Sequence, residues 1–452
     1  MAYPQLTDKP GALETAAAIA RGELSVAEAV DAAITRFERD DATINALAVP
    51  DFERACDTAR TMDAKGPIGE QPLFGVPMTV KESFDVAGLP TCWGHERFAD
   101  HVPRRDADVA RRLKAAGAVI LGKTNVPVDL ADWQSFNPVY GRTCNPHDLE
   151  RSPGGSSGGG AAAVASGMVA CEYGSDIGGS VRVPAHFCGI WGHKTTEGLV
   201  LKRGHDHPMM AQREGFLAGH ESPLSIAGPL ARSPEDLAIL VRIGAQYALH
   251  DPGLSLKGAR ILAITRHPLS ALDRSVGEPV QRALAELERT GLDLAFDSDL
   301  LPDLEAQHGH YLRMLNTIMA RGGPAPGGKR ASASDWFDML DAQAEFAARW
   351  ARLFDAFDIV LAPPAPVLAV AHSDRSVFEG TLMIDGKETS GGAALAWSGI
   401  ATYPGLPATV LPIGEGTYEG ARLPCGLQVI GPRMGDLATI SAAREIAHIL
   451  HS

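Results

Sequence analysis

Two serines sit in glycine-rich turns 24 residues apart. Ser156 lies in Arg151-Ser-Pro-Gly-Gly-Ser-Ser-Gly-Gly-Gly160, and Ser180 in Gly174-Ser-Asp-Ile-Gly-Gly-Ser-Val-Arg182. Glycine lets backbone N–H groups approach a reacting atom and reach dihedrals closed to other residues, so such turns suit the binding of an oxyanion. Serine within them points to nucleophilic catalysis. A third candidate, Lys81, ends the apolar run Gly75-Val-Pro-Met-Thr-Val80, 75 residues before Ser156. Burial disfavours an ammonium and lowers its pKa, which would make Lys81 a usable base; the competing reading is a surface lysine at a strand end.

Three other patterns compete for attention. Gly117-Ala-Val-Ile-Leu-Gly-Lys-Thr124 matches the phosphate-loop pattern G-x-x-x-x-G-K-T. A phosphate loop needs a strand before the first glycine and a helix after the threonine. Here a helix precedes, the four intervening residues read as a strand, and Asn125-Val-Pro127 follows, so Gly117 is read as a helix C-cap.

Gly154 to Gly158 and Gly155 to Gly159 both match G-x-S-x-G, the nucleophile elbow. The elbow needs an apolar strand before it, and Pro146-His-Asp-Leu-Glu-Arg-Ser-Pro153 is not one. It also needs an acid and a histidine downstream, for which His308 and His310 are two of several candidates. His205, His207 and His220 near Asp206 raise a metal site. No acid-and-histidine spacing on a regular element completes a ligand set, so a solvated or substrate-lining loop is expected.

The 452 residues carry a net charge of −14, and 45% are hydrophobic. A large core is therefore available. The negative charge argues against nucleic-acid or anionic-membrane partners, which need clustered Lys and Arg. Six cysteines, Cys56, Cys92, Cys144, Cys171, Cys188 and Cys425, contain no C-x-x-C pair and read as reduced core residues. The start, MAYPQLTDKPG, lacks a basic segment followed by an apolar one, and no apolar run is long enough to span a bilayer. A cytoplasmic enzyme for small molecules is expected.

The elements that must position these residues alternate. Helices are expected at 11–21, at 25–39 behind the capping-box spacing Ser25-Val-Ala-Glu28, and at 51–64. Then come a strand at 75–80, a helix at 106–116, a strand at 118–121, a small-residue helix at 158–167 and a strand at 169–173. Ser233-Pro-Glu-Asp opens a further helix with a cap and acids in its first turn. Strands at 259–265, 358–361 and 424–430 and helices at 277–290, 303–320, 334–356 and 436–450 complete an α/β layered pattern.

Taken together, Gly75-Val-Pro-Met-Thr-Val-Lys81, Ser152-Pro-Gly-Gly-Ser-Ser-Gly-Gly159 and Asp176-Ile-Gly-Gly-Ser-Val-Arg182 resemble the amidase signature family of serine hydrolases in content, order and spacing. The likeness extends to Gly122-Lys-Thr-Asn125, Asn137 to Gly141, Asn145-Pro146 and Tyr403-Pro-Gly-Leu-Pro-Ala-Thr409. It implies a single domain over 1–452, with a central mixed twisted β-sheet flanked by helices on both faces. An N-terminal helical segment would cover 1–70, the signature core 71–200 and a lid loop 201–222.

The resemblance further implies a Ser-cisSer-Lys triad: Ser180 as nucleophile, Ser156 as bridging serine after a cis peptide bond to Gly155, and Lys81 as base. Backbone N–H groups of Ile177, Gly178, Gly179 and Ser180 would hold the oxyanion. Ser157 and Ser175 would support the network. Asp176 and Arg182 flank the nucleophile and are expected to brace the turn through charge-assisted hydrogen bonds, with a catalytic role as the alternative. No metal or organic cofactor is required.

Specificity depends on walls that the likeness places at Asp129 to Trp133, 200 to 222 and Ala394 to Thr402. The candidates are Leu130, Ala131, Trp133, Met209, Phe216 and Trp397, with Met210 and Leu217. After Trp191-Gly-His-Lys194 this chain reads Thr195-Thr-Glu-Gly-Leu-Val200, where many relatives have Pro-Thr-x-Gly-x-Val. Lys202 to Glu221 would form the lid. The expected enzyme, monomer or homodimer, cleaves small-molecule amides and also esters and carbamates, the last as in a urethanase branch. The alternative is the amidase-like subunit of a glutamine-dependent tRNA amidotransferase complex, which needs protein partners. An inactive relative is opposed by the intact Lys81, Ser156 and Ser180.

Overall fold

Ser25 opens the first long helix as its spacing requires. The computed structural model describes residues 10–211, 222–250, 253–320, 323–324 and 328–451. In it the Ser25 hydroxyl accepts from Glu28 N–H while the Glu28 carboxylate accepts from Ser25 N–H, an exchange worth about 1 kcal/mol at a helix start. Helices α1 (Ala12–Ala20) and α2 (Val26–Ile44) precede the short strand β1 (Leu47–Pro50) in the chain, and α3 (Phe52–Lys65) follows it. Then come β2 (Pro77–Lys81), α4 (Asp108–Ala115) and β3 (Val119–Thr124). Helix α4 caps at Ala116, and Gly117 follows with φ +92°. Strand β3 occupies the would-be phosphate loop, so the backbone that would cradle a phosphate is committed to the sheet.

The signature segment supplies α5 (Gly158–Ser166), β6 (Cys171–Asp176), α6 (Arg182–Cys188) and β7 (Trp191–Lys194), after a ribbon of β4 (Phe136–Asn137) and β5 (Gly141–Arg142). Beyond it lie α7 (Pro208–Ala211), β8 (Ile226–Ala231), α8 (Pro234–Gly244), β9 (Ile261–Ala263), α9 (Arg274–Arg289), β10 (Leu294–Ala295), α10 (Leu304–Met319), α11 (Ala333–Ala356) and β11 (Ile359–Ala362). A second ribbon, β12 (Thr381–Ile384) with β13 (Lys387–Ser390), precedes α12 (Leu395–Thr402), β14 (Ala408–Tyr418), β15 (Ala421–Ile430) and α13 (Asp436–His451).

Eleven strands form one sheet in the order β1-β3-β2-β6-β8-β7-β14-β15-β11-β9-β10. Strands β3, β2 and β6 run parallel, β8 is antiparallel to both its neighbours, and β11, β9 and β10 are parallel again. This is the mixed sheet that the family resemblance implied, within the α/β layering that the alternation implied. Successive side chains of a strand face opposite sides. In β3, Val119 and Leu121 join the apolar cluster of α2, α3 and α5, whereas Ile120 joins the cluster that includes α4, α8, α9 and α13. Helices therefore cover both faces.

The same alternation sorts the polar groups. Met78 and Val80 of β2 and Cys171 and Tyr173 of β6 belong to the α4 side. Thr79, Lys81, Glu172, Gly174 and Asp176 consequently face α5. That helix is glycine and alanine except for Val164 and Ser166, so its backbone packs close to the strands and leaves these buried groups no water.

Strands β7, β8 and β14 and helix α12 are among the elements that the expected pattern lacks. Strand β8, Ile226-Ala-Gly-Pro-Leu-Ala231, is buried throughout between β6 and β7. A side chain at Gly228 would overlap the backbone of His193 on the neighbouring strand. Among the described residues no helix is long and apolar enough to cross a membrane.

Candidate active site

Lys81 is the last residue of β2, a strand buried along its whole length. Its Nζ donates to Ser156 Oγ at 2.7 Å and to Ser175 Oγ at 3.0 Å. Burial lowers the ammonium pKa to about 7, against the charges of Asp176, Glu172 and Glu82, which raise it. A lysine so placed is partly neutral near neutrality, the condition for acting as a base.

Ser156 reaches this position from the turn that feeds α5; the peptide bond between Gly155 and Ser156 is cis. Ser180 stands just before α6. The two turns are tied together, since Ser157 N–H donates to Ser180 O at 3.2 Å and Ser157 Oγ donates to Ser175 O at 3.3 Å. Both serines, with Ser175, Asp176 and Ile177, floor a cavity of about 540 Å³. Lys81, Ser156 and Ser175 are joined by hydrogen bonds. Ser180 Oγ makes no hydrogen bond to Ser156 among the described residues, although both face the same cavity.

The turn before Ser180 is held by a buried ion pair. Asp176 ends β6, and Arg182 meets it with Nη2 to Oδ1 and Nε to Oδ2, both 3.0 Å. Neither side chain touches solvent. Burial pushes the Asp176 carboxyl up, but the charge and hydrogen bonds of Arg182 outweigh it and hold the group at about 2. The remaining guanidinium donors go to Ser398 O, Gln428 Oε1 and Thr402 Oγ1. Every visible partner of Arg182 is structural, which is the bracing arrangement.

Asp176 also accepts from Gly179 N–H at 2.9 Å and from Val181 N–H at 3.1 Å. Of the four N–H groups expected to face an oxyanion, that of Gly179 is thus committed to the carboxylate. Gly179 has φ +94°, a left-handed conformation that a side chain would strain. Ile177, Gly178 and Ser180 remain as candidate donors.

The cavity walls differ from the expected set. Leu130 lines it, together with Trp93, Met210, Ile318, Met319 and Trp336. Ala131 is exposed and is not among the lining residues. Trp133 is buried behind the floor, its Nε1 donating to Gly178 O at 2.9 Å. Met209 points partly to solvent, and its neighbour Met210 takes the wall position. Trp397 is fully buried on α12, donating to Ser270 O and packing on His267. Phe216, Leu217 and His220 fall outside the described residues, as does the part of the expected lid from 212 to 221.

The polar rim comprises Asp129, Lys202, His205, Asp206 and His207. His205 Nε2 pairs with Ser83 Oγ at 3.0 Å rather than with His207. Asp129 Oδ1 lies 2.7 Å from His95 Nε2 and 3.0 Å from His207 Nε2. Burial raises the Asp129 pKa, but the hydrogen bonds from His207 and His95 prevail and hold it at about 2. The three ligating atoms lie within 4.8 Å of one another, a metal-site spacing. However, His207 Nδ1 accepts from Met209 N–H at 3.2 Å, which puts the ring proton on Nε2, facing Asp129. The group is a hydrogen-bonded clamp between the 201–211 segment and the turn at Asp129.

Sequence comparison bears on this geometry. A model of the Amidase family matches residues 28–315. A glutamyl-tRNA(Gln) amidotransferase subunit of Oleidesulfovibrio alaskensis is 33% identical over 493 residues, covering 97% of this chain and 96% of that protein. A Mycobacterium bovis protein named "Putative amidase AmiB2" is 31% identical over 475 residues, covering 96% and 95%. A solved amidase structure superposes with a TM-score of 0.80 at 26% identity, covering 97% of this chain and 99% of the other.

Proposed function

The chain belongs to the amidase signature family, hydrolases of amide C–N bonds, and from that premise we propose that Lys81, Ser156 and Ser180 are its catalytic residues. Neutral Lys81 takes the proton of Ser156 Oγ while Ser156 takes that of Ser180, and Ser180 Oγ bonds to the substrate carbonyl carbon. The carbonyl oxygen becomes an oxyanion facing backbone N–H groups of the Ile177 to Ser180 turn. The C–N bond then breaks, Ser156 returns a proton to the departing nitrogen, and water releases the acyl group from Ser180. The single observation carrying this reading is the 2.7 Å contact of Lys81 with Ser156 in a dry, pKa-lowering setting.

The same device can expel an alkoxide, which needs less protonation than an amine. We therefore extend the proposal to esters and carbamates. In this reading the chain is one catalytic unit whose core, 71–200, supplies the floor and whose loop 201–222 borders the cavity. Its partner is a small molecule, and the chain works as a monomer or homodimer.

The test is a panel of chromogenic anilides, esters and carbamates with wild type and Ser180→Ala. Loss of all turnover in the variant supports the assignment; unchanged turnover rejects it. The ranking across the panel names the leaving-group class.

A second reading is favoured by the 33% identity to a component of a tRNA amidotransferase: hydrolysis of glutamine within a larger assembly. Adding glutamine to the panel separates the two. Turnover of glutamine only, and only with partner proteins present, would replace the first reading with the second.

A further inference from the structure

We propose that Tyr311 and Trp133 are positioning residues that set the donors of the oxyanion hole, a step that rests on Ser180 being the nucleophile. A trans peptide group directs its C=O and N–H in opposite senses. Fixing a carbonyl therefore aims the N–H of the next residue. In the turn before Ser180, three successive carbonyls are fixed. Ile177 O accepts from Tyr311 Oη at 2.9 Å, Gly178 O from Trp133 Nε1 at 2.9 Å, and Gly179 O from Val183 N–H at 2.7 Å.

The consequences alternate along the turn. The Ile177 carbonyl points to Tyr311, which is fully buried on α10, so Gly178 N–H is aimed the other way. The Gly178 carbonyl points to the buried Trp133 while Gly179 N–H meets Asp176, so that peptide is held at both ends and withdrawn from the substrate. The Gly179 carbonyl is taken by α6, which aims Ser180 N–H. Neither Tyr311 nor Trp133 lines the cavity. Of the three candidate donors that Asp176 leaves uncommitted, Gly178 and Ser180 are the two that a fixed carbonyl aims.

Two observations tie these rings to the rest of the site. A side chain at Gly178 would meet Tyr311 Oη at 3.3 Å, so the phenol is seated against the turn. Ser152 Oγ donates to Trp133 O at 2.9 Å, which anchors Trp133 to the segment carrying Ser156. Helix α10 also presents Ile318 and Met319 to the cavity. One helix thus sets both a wall and a donor. Buried donors of this kind act through the preorganisation of the hole, and a free carbonyl lets the peptide plane rotate away from its productive orientation.

The experiment labels the serine with a saturable alkyl fluorophosphonate, for which no natural substrate is needed. Ser180 Oγ bonds to phosphorus, the P–F bond breaks, fluoride leaves, and the Ser180 proton passes through Ser156 and Lys81 to water. The negatively charged phosphoryl oxygen occupies the oxyanion site in the transition state. Wild type, Ser180→Ala, Tyr311→Phe and Trp133→Phe are compared, with kinact referred to the fraction of chains labelled at completion, so that misfolded protein does not enter.

Tyr311→Phe, which removes one oxygen, should lower kinact about tenfold or more while KI stays within about twofold. The pH midpoint of labelling should not move, because Lys81 is untouched. Trp133→Phe should act in the same direction, and the double variant should fall short of additivity, since both residues act on one turn. Unchanged kinact in Tyr311→Phe, or a change confined to KI, overturns the proposal. Labelling of Ser180→Ala at the wild-type rate, or no labelling of wild type, instead rejects the nucleophile assignment on which it rests.

Discussion

The carboxylate of Glu172 fills the space in which a side chain at Gly160 would begin. Glu172 stands on β6 under helix α5, its oxygens accepting from Thr79 Oγ1 and Thr124 Oγ1, each at 2.6 Å. Burial raises its pKa to about 7, opposed by those hydroxyls and by the Lys81 charge. Gly160→Ala should therefore destabilise the protein by about 1–3 kcal/mol in urea denaturation, through overpacking. In a Glu172→Ala background the penalty should shrink, since the obstruction is gone. Fully additive penalties would mean that the helix relaxes independently of the carboxylate.

In the proposed mechanism Lys81 should set the pH dependence of activity. With its pKa lowered to about 7 and the neutral form acting as base, kcat/KM should rise with pH through a midpoint near 7 and level off above it. A profile that falls across the same range would assign activity to the protonated lysine and end the proposed mechanism.

The same lysine should leave its mark on stability. Its pKa lies below that of an ordinary lysine, 10.5, so between pH 7 and 10.5 the unfolded chain holds a proton that the folded chain does not. Stability from this group rises with pH across that window, and its cost is complete below 7. Lys81→Met should remove that cost, along with the proposed base. Its melting temperature, taken relative to wild type, should be higher at pH 6 than at pH 10. An equal difference at both pH values would show that Lys81 titrates as an ordinary lysine.

Arg182 ties the turn before Ser180 to α12 and β15 through a buried ion pair and three further hydrogen bonds. Arg182→Met leaves the buried Asp176 carboxylate without its paired guanidinium and should cost about 3–5 kcal/mol. Arg182→Lys should rescue little, because one ammonium cannot reproduce donors to Asp176, Ser398, Gln428 and Thr402. Denaturation midpoints for the two variants decide this. Wild-type stability in either would remove the ion pair from the account.

What the sequence revealed, and what it hid, follows the range of the interactions. Ser156 and Ser180 stand out in the sequence because glycine-rich turns are local patterns, whereas Lys81 alone reads equally as a surface lysine at a strand end and is joined to them only by the family resemblance. Helix α2 was legible as a local pattern too, its cap being written in four consecutive residues. Strand β8 was not, because its Gly228 and Pro229 answer to a neighbouring strand rather than to any periodicity of their own.

Trp133 and Trp397 illustrate the same limit in the site. An aromatic residue near a cavity reads as a wall, but Trp133 spends its N–H on Gly178 O and Trp397 spends its own on Ser270 O. Tyr311 carried no signal at all. It is one apolar-face residue of a long helix, and its partner, Ile177 O, is 134 residues away in the chain.

The cavity draws its floor from one continuous stretch of chain, residues 156 to 180, whereas its walls come from segments scattered around residues 93, 130, 210, 223, 318 and 336. Wall positions away from α10, such as Leu130 and Met210, should therefore be replaceable one at a time without disturbing the floor, whereas Ile318 and Met319 share a helix with Tyr311, and changes there should be felt in wall and floor alike.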